Sequence, residues 1–206
     1  MLHRPHRLVL VASLIFAAIP AIPAIPAILW IGAAGMRIDV RADPERLTWS
    51  DFRRVESVSG TSEHARIAAE MSFPQPLRIE RAGGGYRLPQ FTITVTPQPA
   101  RTVARRSVAL SAALLRHEQG HYDIVVLAAR ALARELEGMT AGSAQELTRR
   151  VEDCVSKHTD RAERLSEAYD RATDHSHDPA EQARWTERID RALADGEATR
   201  LEGLPL

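Results

Sequence analysis

The stretch 107–137 places apolar residues at Leu110, Leu114, Ile124, Ala128 and Leu132, three and four apart, and sets His117 and His121 into the same stripe. Positions at that spacing share one face of an α-helix. The pattern therefore predicts a core helix that carries two imidazoles, one turn apart, on its inward face, with Gly138 as its stop. Imidazoles on an apolar stripe need polar partners. Two of them at i and i+4 can take two corners of one tetrahedral zinc ion. Glu118 is rotated about 100° from His117, which puts a carboxylate beside such an ion, where it can take a proton from activated water and pass it to a leaving amine. The run His117-Glu118-Gln119-Gly120-His121 thus reads as two zinc ligands and a general base. The plainer reading is two core histidines beside a solvated glutamate. Gly120 costs about 1 kcal/mol against alanine inside a helix, and is read as admitting another segment close to the metal.

The remainder divides into strands and then helices. Residues 37–41 alternate briefly. Residues 47–52 suggest a turn or short helix capped by Thr48 or Ser50. Phe91, Ile93 and Val95 alternate with Thr92, Thr94 and Thr96, and Gly83-Gly84-Gly85 marks a turn, so 76–81 and 86–96 are expected to pair as a hairpin ended by Pro97 and Pro99. A second helix is expected over 143–172, with Leu147, Val151, Cys154, Ala162, Leu165 and Tyr169 on one face. Residues 173–179 break it, and a third helix fits 180–193. This order predicts an α+β fold, antiparallel strands followed by a helical half.

Residues 1–36 stand apart. His3, Arg4, His6 and Arg7 form a basic start, and no charge occurs from Leu8 to Met36. That is the order of a secretory signal, with Gly32, Ala33 and Ala34 where a peptidase cuts. The run is also long enough to span a bilayer, although Pro20, Pro23 and Pro26 weaken a regular helix. Residues 1–36 are read as a signal peptide or an N-terminal membrane anchor, or alternatively as sequence preceding a true start at Met36. Residues 37–206 are read as one extracytoplasmic domain, periplasmic or secreted, anchored through 8–35 if the segment is retained. A formal net charge of zero argues against a nucleic-acid partner. The single cysteine, Cys154, excludes an intrachain disulfide and reads as a small buried residue.

A catalytic zinc needs a third protein ligand and one open position. An antiparallel pair of helices around a turn near Thr140 sets His117 and His121 against roughly 160–167, and brings the next segment past the same end. The candidates there are Asp170, Asp174, His175, His177 and Asp178, ranked His175, then His177, then Asp170; the same cluster also reads as a polar loop. His158 falls near the level of Val125, and His3, His6 and His64 read as surface or leader residues. Tyr169 is placed either to donate to a developing oxyanion or to pack on the stripe. Asp123 is either a partner to a ligand imidazole or a solvated or capping group. The strand 91–96 offers an edge for an extended peptide, unless it lies inside a sheet.

The run from Leu114 to Ile124 resembles the core of a bacterial domain-of-unknown-function family described as predicted secreted zinc-dependent proteases. Leu47-Thr48-Trp49-Ser50-Asp51-Phe52 resembles that family's opening motif. Tyr169-Asp170-Arg171-Ala172-Thr173-Asp174-His175, followed by Gln182 and Trp185, resembles its closing motif. Ser107-Val108 lacks the family's tryptophan, and Ser176 then His177 follow the closing histidine in place of glycine. The resemblance implies a zincin-like fold, Zn²⁺ held by His117, His121 and His175, and Glu118 as catalytic base acting on peptide or protein substrates. Two other functions fit the residues: a non-catalytic, zinc-stabilised envelope domain that binds a partner, and another metal hydrolase such as an amidase.

Overall fold

The structure, a computed structural model, describes residues 11–13, 37–58 and 64–206. The expected leader or anchor, 1–36, lies outside the described residues apart from Val11–Ser13. Among the described residues no helix is long and apolar enough to cross a membrane. Among the described residues nine strands come first: β1 (Val11–Ser13), β2 (Asp39–Ala42), β3 (Arg53–Val55), β4 (Ala65–Arg66), β5 (Ala69–Ser72), β6 (Glu80–Ala82), β7 (Gly85–Arg87), β8 (Thr92–Pro97) and β9 (Val103–Arg105). Then follow α1 (Ala112–Leu136), β10 (Thr140–Ala141), α2 (Ala144–Thr173), α3 (Pro179–Ala194), β11 (Arg200–Leu201) and β12 (Leu204–Pro205). The α+β order expected from the sequence is present.

The threonine alternation marks a strand, but its partner is not the one expected. β8 lies inside a sheet of order β1-β5-β8-β2, parallel to β2 (Asp39↔Thr92) and antiparallel to β5 (Ala69↔Pro97). Both edges of β8 are therefore filled, and it cannot offer one to a peptide. The hairpin is shorter: β6 pairs with β7 around Gly83 and Gly84, whose φ values of 57° and 84° suit glycine. Pro89, which has no amide hydrogen to donate, separates β7 from β8 and frees β8 to join the other sheet. Thr48 precedes a single 3-10 turn at Trp49–Asp51, and its N–H donates to Asp51 Oδ2 at 2.6 Å.

The helices begin where their caps dictate. Ser111 accepts from Leu114 N, Ser143 from Glu146 N, and Asp178 from Ala180 N and Glu181 N, with Pro179 at the first helical position. The first helix starts later than the apolar stripe suggests, so Leu110 lies outside it and is exposed. α1 is buried on two sides. One side packs Tyr122, Val125, Val126, Ala129 and Leu132 against the strands. The other packs Ile124, Leu127, Ala128 and Ala131 against Leu165 and Tyr169 of α2 and Trp185 and Ile189 of α3. An element buried on both sides fixes whatever its polar residues hold.

α1 and α2 run antiparallel, but their register differs from that of a tight turn. The connection contains β10, which pairs with β7 (Thr140↔Arg87, Ala141↔Tyr86). This lengthens the link and moves the pivot along the chain. His158 therefore meets Glu135 rather than the level of Val125: His158 Nε2 lies 2.9 Å from Glu135 Oε2, and Lys157 pairs with Oε1. Burial pushes the Glu135 carboxyl up, but hydrogen bonds from Lys157 and His158 outweigh it and bring it down to about 2. A carboxylate whose folded pKa is depressed stabilises the fold above its unfolded pKa, and that stability is lost as pH falls through the folded value. Glu135→Gln is accordingly expected to destabilise the protein by about 1 kcal/mol at neutral pH, a small figure because the side chain is 40% exposed and screened. Denaturant titrations from pH 7 to pH 2 should show the gap between variant and wild type closing as pH drops below about 4.

Candidate metal centre

α1 delivers His117, Glu118 and His121, and α2 delivers Tyr169 and Asp170, at one level of the helix pair. His117, His121 and Asp170 are 5%, 8% and 8% exposed. Their ligand atoms face one another: the two Nε2 atoms are 3.2 Å apart, and Asp170 Oδ1 is 3.2 Å from His117 Nε2 and 2.9 Å from His121 Nε2. Three donors at ordinary zinc distances in tetrahedral geometry stand about 3.3 Å apart. The triangle thus has the size of one face of a zinc coordination sphere, and its donors, two imidazoles and a carboxylate, suit that metal. Burial pushes the Asp170 carboxyl up, but the two imidazoles beside it outweigh burial and hold it well below the usual carboxylate range. A buried anion among nitrogens calls for a shared cation. His121 Nδ1, also buried, has no hydrogen-bond partner among the described residues.

A second group, Glu135, Cys154 and His158, also lies within metal-binding distance, but its chemistry differs. One carboxylate there is met by Lys157, His158 and the Cys154 thiol. Burial pushes that thiol up to about 12, so it remains a protonated donor. Lys157 already supplies the cation, and no metal is needed.

The floor of the centre is aromatic. The Tyr169 ring stacks on His117 at 4.8 Å and 21°, and meets His121 edge-on at 5.0 Å. This contact depends on Gly120. A Cβ built there would stand 2.5–2.8 Å from the Tyr169 hydroxyl and ring, so glycine admits the second helix, as the sequence suggested. Tyr169 is fully buried, and its hydroxyl donates to the His117 carbonyl at 3.3 Å. In this structure its ring packs against both imidazoles and its hydroxyl is engaged with the His117 carbonyl and Gln182.

Of the candidates for the third ligand, the structure brings Asp170 to the two histidines. His175 Nδ1 stands 3.6 Å from Asp170 Oδ1 with its side chain 37% exposed, outside the group of three. His177 lies farther out, its Nδ1 2.7 Å from the Asp174 carbonyl and its ring edge-on to His64. Asp178 caps α3. Asp174, His175 and Ser176 all have positive φ (44°, 51°, 75°), a conformation costing about 1–3 kcal/mol for each non-glycine residue. Asp123 is buried against Gln119, at 2.7 Å, and burial raises its carboxyl to about 6 despite that bond.

Two features were less visible in the sequence. Asp170 shares a buried polar face of α2 with Ser166 and Thr173, at helical spacings of four and three; that spacing was the available signal. Gln182, 7% exposed on the first turn of α3, has its Oε1 3.0 Å from His117 Nδ1, and nothing local in the sequence assigns it a role.

Two outcomes follow. Gly120→Ala should lower stability by about 1–3 kcal/mol by overpacking, despite alanine's better helix propensity, and should weaken zinc binding measured against a competing chelator. In the same assay Asp170→Asn should lower zinc affinity far more than His175→Ala; the reverse order would make His175 the third ligand.

Neither a curated protein nor a solved structure matches the chain. A family model described as "Bacterial protein of unknown function (DUF922)" matches residues 64–178, which include all the residues of the triangle and more than half of the 206. The chain belongs to this bacterial family of unknown function.

Proposed function

We propose that the chain is a zinc-dependent peptidase acting outside the cytoplasmic membrane. The observation that carries this reading is the buried triangle of His117 Nε2, His121 Nε2 and Asp170 Oδ1, which has the span of three zinc ligands; a tetrahedral zinc held by these three would keep a fourth position for a reactant. When bound, zinc supplies Lewis acidity for a carbonyl and an acidic water. The protein's own groups supply the rest. Glu118, 3% exposed and next to His117, is held by the Ile67 N–H, which donates to its Oε2 at 2.8 Å. A carboxylate fixed this way is positioned to take a proton and return it to a leaving amine. The same bond ties α1 to the segment between β4 and β5, so the base and the ligands keep one relative placement. Near-complete burial excludes bulk water and strengthens each charge interaction. The charge order of residues 1–36 supports export, with the domain outside the membrane.

The second reading, a zinc-stabilised domain that binds a partner, draws on the same burial and on the use of Glu118 as a tie to Ile67. The two separate on one variant. The full chain, stripped by chelator and reloaded with zinc, is expected to cleave an unstructured protein, and Glu118→Gln is expected to lose about 10²–10⁴-fold in rate with zinc content unchanged. Equal cleavage by both proteins contradicts the catalytic role. Zinc-dependent thermal stability with no cleavage by the wild type supports the binding domain.

A further inference from the structure

Gln182 sits on α3, beyond the residues matched by the family model, and its amide is oriented by two independent bonds. Tyr169 gives its hydroxyl proton to the His117 carbonyl, so its oxygen offers only lone pairs to Gln182. Thr186 gives its proton to the Gln182 carbonyl at 2.8 Å, and likewise offers lone pairs. Both oxygens face the same end of the Gln182 side chain, Tyr169 Oη closely and Thr186 Oγ1 at 3.4 Å. That end must be the NH₂. The other end, Oε1, is an acceptor, and it lies 3.0 Å from His117 Nδ1. His117 therefore carries its proton on Nδ1, and its Nε2 presents a lone pair to the Asp170 carboxylate at 3.2 Å. Two lone pairs at that distance repel, and a cation between them relieves the repulsion.

From this geometry we infer that Gln182 is a positioning residue that locks His117 into its metal-binding tautomer, so that α3 completes a centre whose ligands come from α1 and α2. The inference rests on the zinc reading above. The strained turn Asp174–Ser176 provides the route: His175 N donates to Asp170 O, and Asp178 N to Thr173 O, which closes α2 and returns the chain to place Gln182 over His117. Among the described residues the Gln182 side-chain amide bonds to His117, Tyr169 and Thr186 alone, and the last two belong to the same relay.

The test uses the full chain with His117 ring nitrogens read by nitrogen-15 NMR without metal, and zinc affinity read by chelator competition. Wild type is expected to show the Nδ1–H tautomer. Gln182→Leu, which has no acceptor, is expected to lose that tautomer and to bind zinc roughly 10–100-fold more weakly. Gln182→Glu keeps an acceptor and is expected to recover most of the affinity. Unchanged affinity and tautomer in Gln182→Leu overturn the inference, as does an equal loss in Gln182→Glu, which would mark mere packing. If Gln182→Leu does not fold, a wild-type His117 protonated on Nε2 overturns it directly. A wild type that takes up no zinc overturns the zinc reading itself, whereas zinc bound equally by wild type and Gln182→Leu removes only the role of Gln182.

Discussion

The Tyr169 ring lies against the backbone of α1 at Gly120, and the placement of the whole centre follows from that contact. Any side chain at position 120 would push α2 outward and carry Asp170 away from the two imidazoles. With glycine there, the aromatic face supports both rings, and the carboxylate one residue along α2 reaches them within 3.2 Å. The helix gives up about 1 kcal/mol of propensity for this approach. The strands contribute by burying the opposite face of α1 and, through the Ile67 N–H, by fixing the carboxylate of Glu118. Burial on both sides leaves α1 little freedom to shift its polar groups, and a site held on such an element keeps its geometry.

The two polar clusters between α1 and α2 show why proximity alone does not define a metal site. At Glu135 each donor has an acceptor and a lysine balances the carboxylate. At Asp170 the anion faces two imidazole nitrogens, one of them with its proton turned away toward Gln182. The first arrangement is a lysine-balanced network that joins two helices, with His158 Nδ1 left without a hydrogen-bond partner among the described residues. In the second, His121 Nε2 stands 2.9 Å from Asp170 Oδ1, and a cation shared with His117 Nε2 would join all three donors. Both sit on the same helix pair, but they differ in depth as well as in chemistry: the Glu135 side chain is 40% exposed and that of Asp170 only 11%.

Much of this was legible in the sequence because it is local. The three helices follow from periodicity and the first helix's end from Gly138, whereas the caps at Ser111 and Asp178 emerge only from the structure. The two histidines and Glu118 follow from helical spacing, and Gly120 was readable as a point of close approach. What could not be read depends on distant pairing. β8 carries the expected alternation, yet its partners are β2 and β5, set by the sheet rather than by the nearest turn. The third member of the triangle depends on the register of α2, which shifts because Thr140–Ala141 joins a strand. That shift brings Asp170 to the histidines and leaves His175 at the rim. Gln182 depends on a further reversal of the chain through three residues of positive φ, which no local pattern announces.

X-ray absorption at the zinc edge on the zinc-loaded full chain tests most directly whether one metal ion is held by two imidazoles and one carboxylate. The predicted result is one equivalent of zinc with only nitrogen and oxygen neighbours at about 2.0–2.2 Å and two imidazole outer-shell patterns. A sulfur neighbour at about 2.3 Å would place the metal at Cys154 instead, and that result, or the absence of bound zinc, would contradict the account.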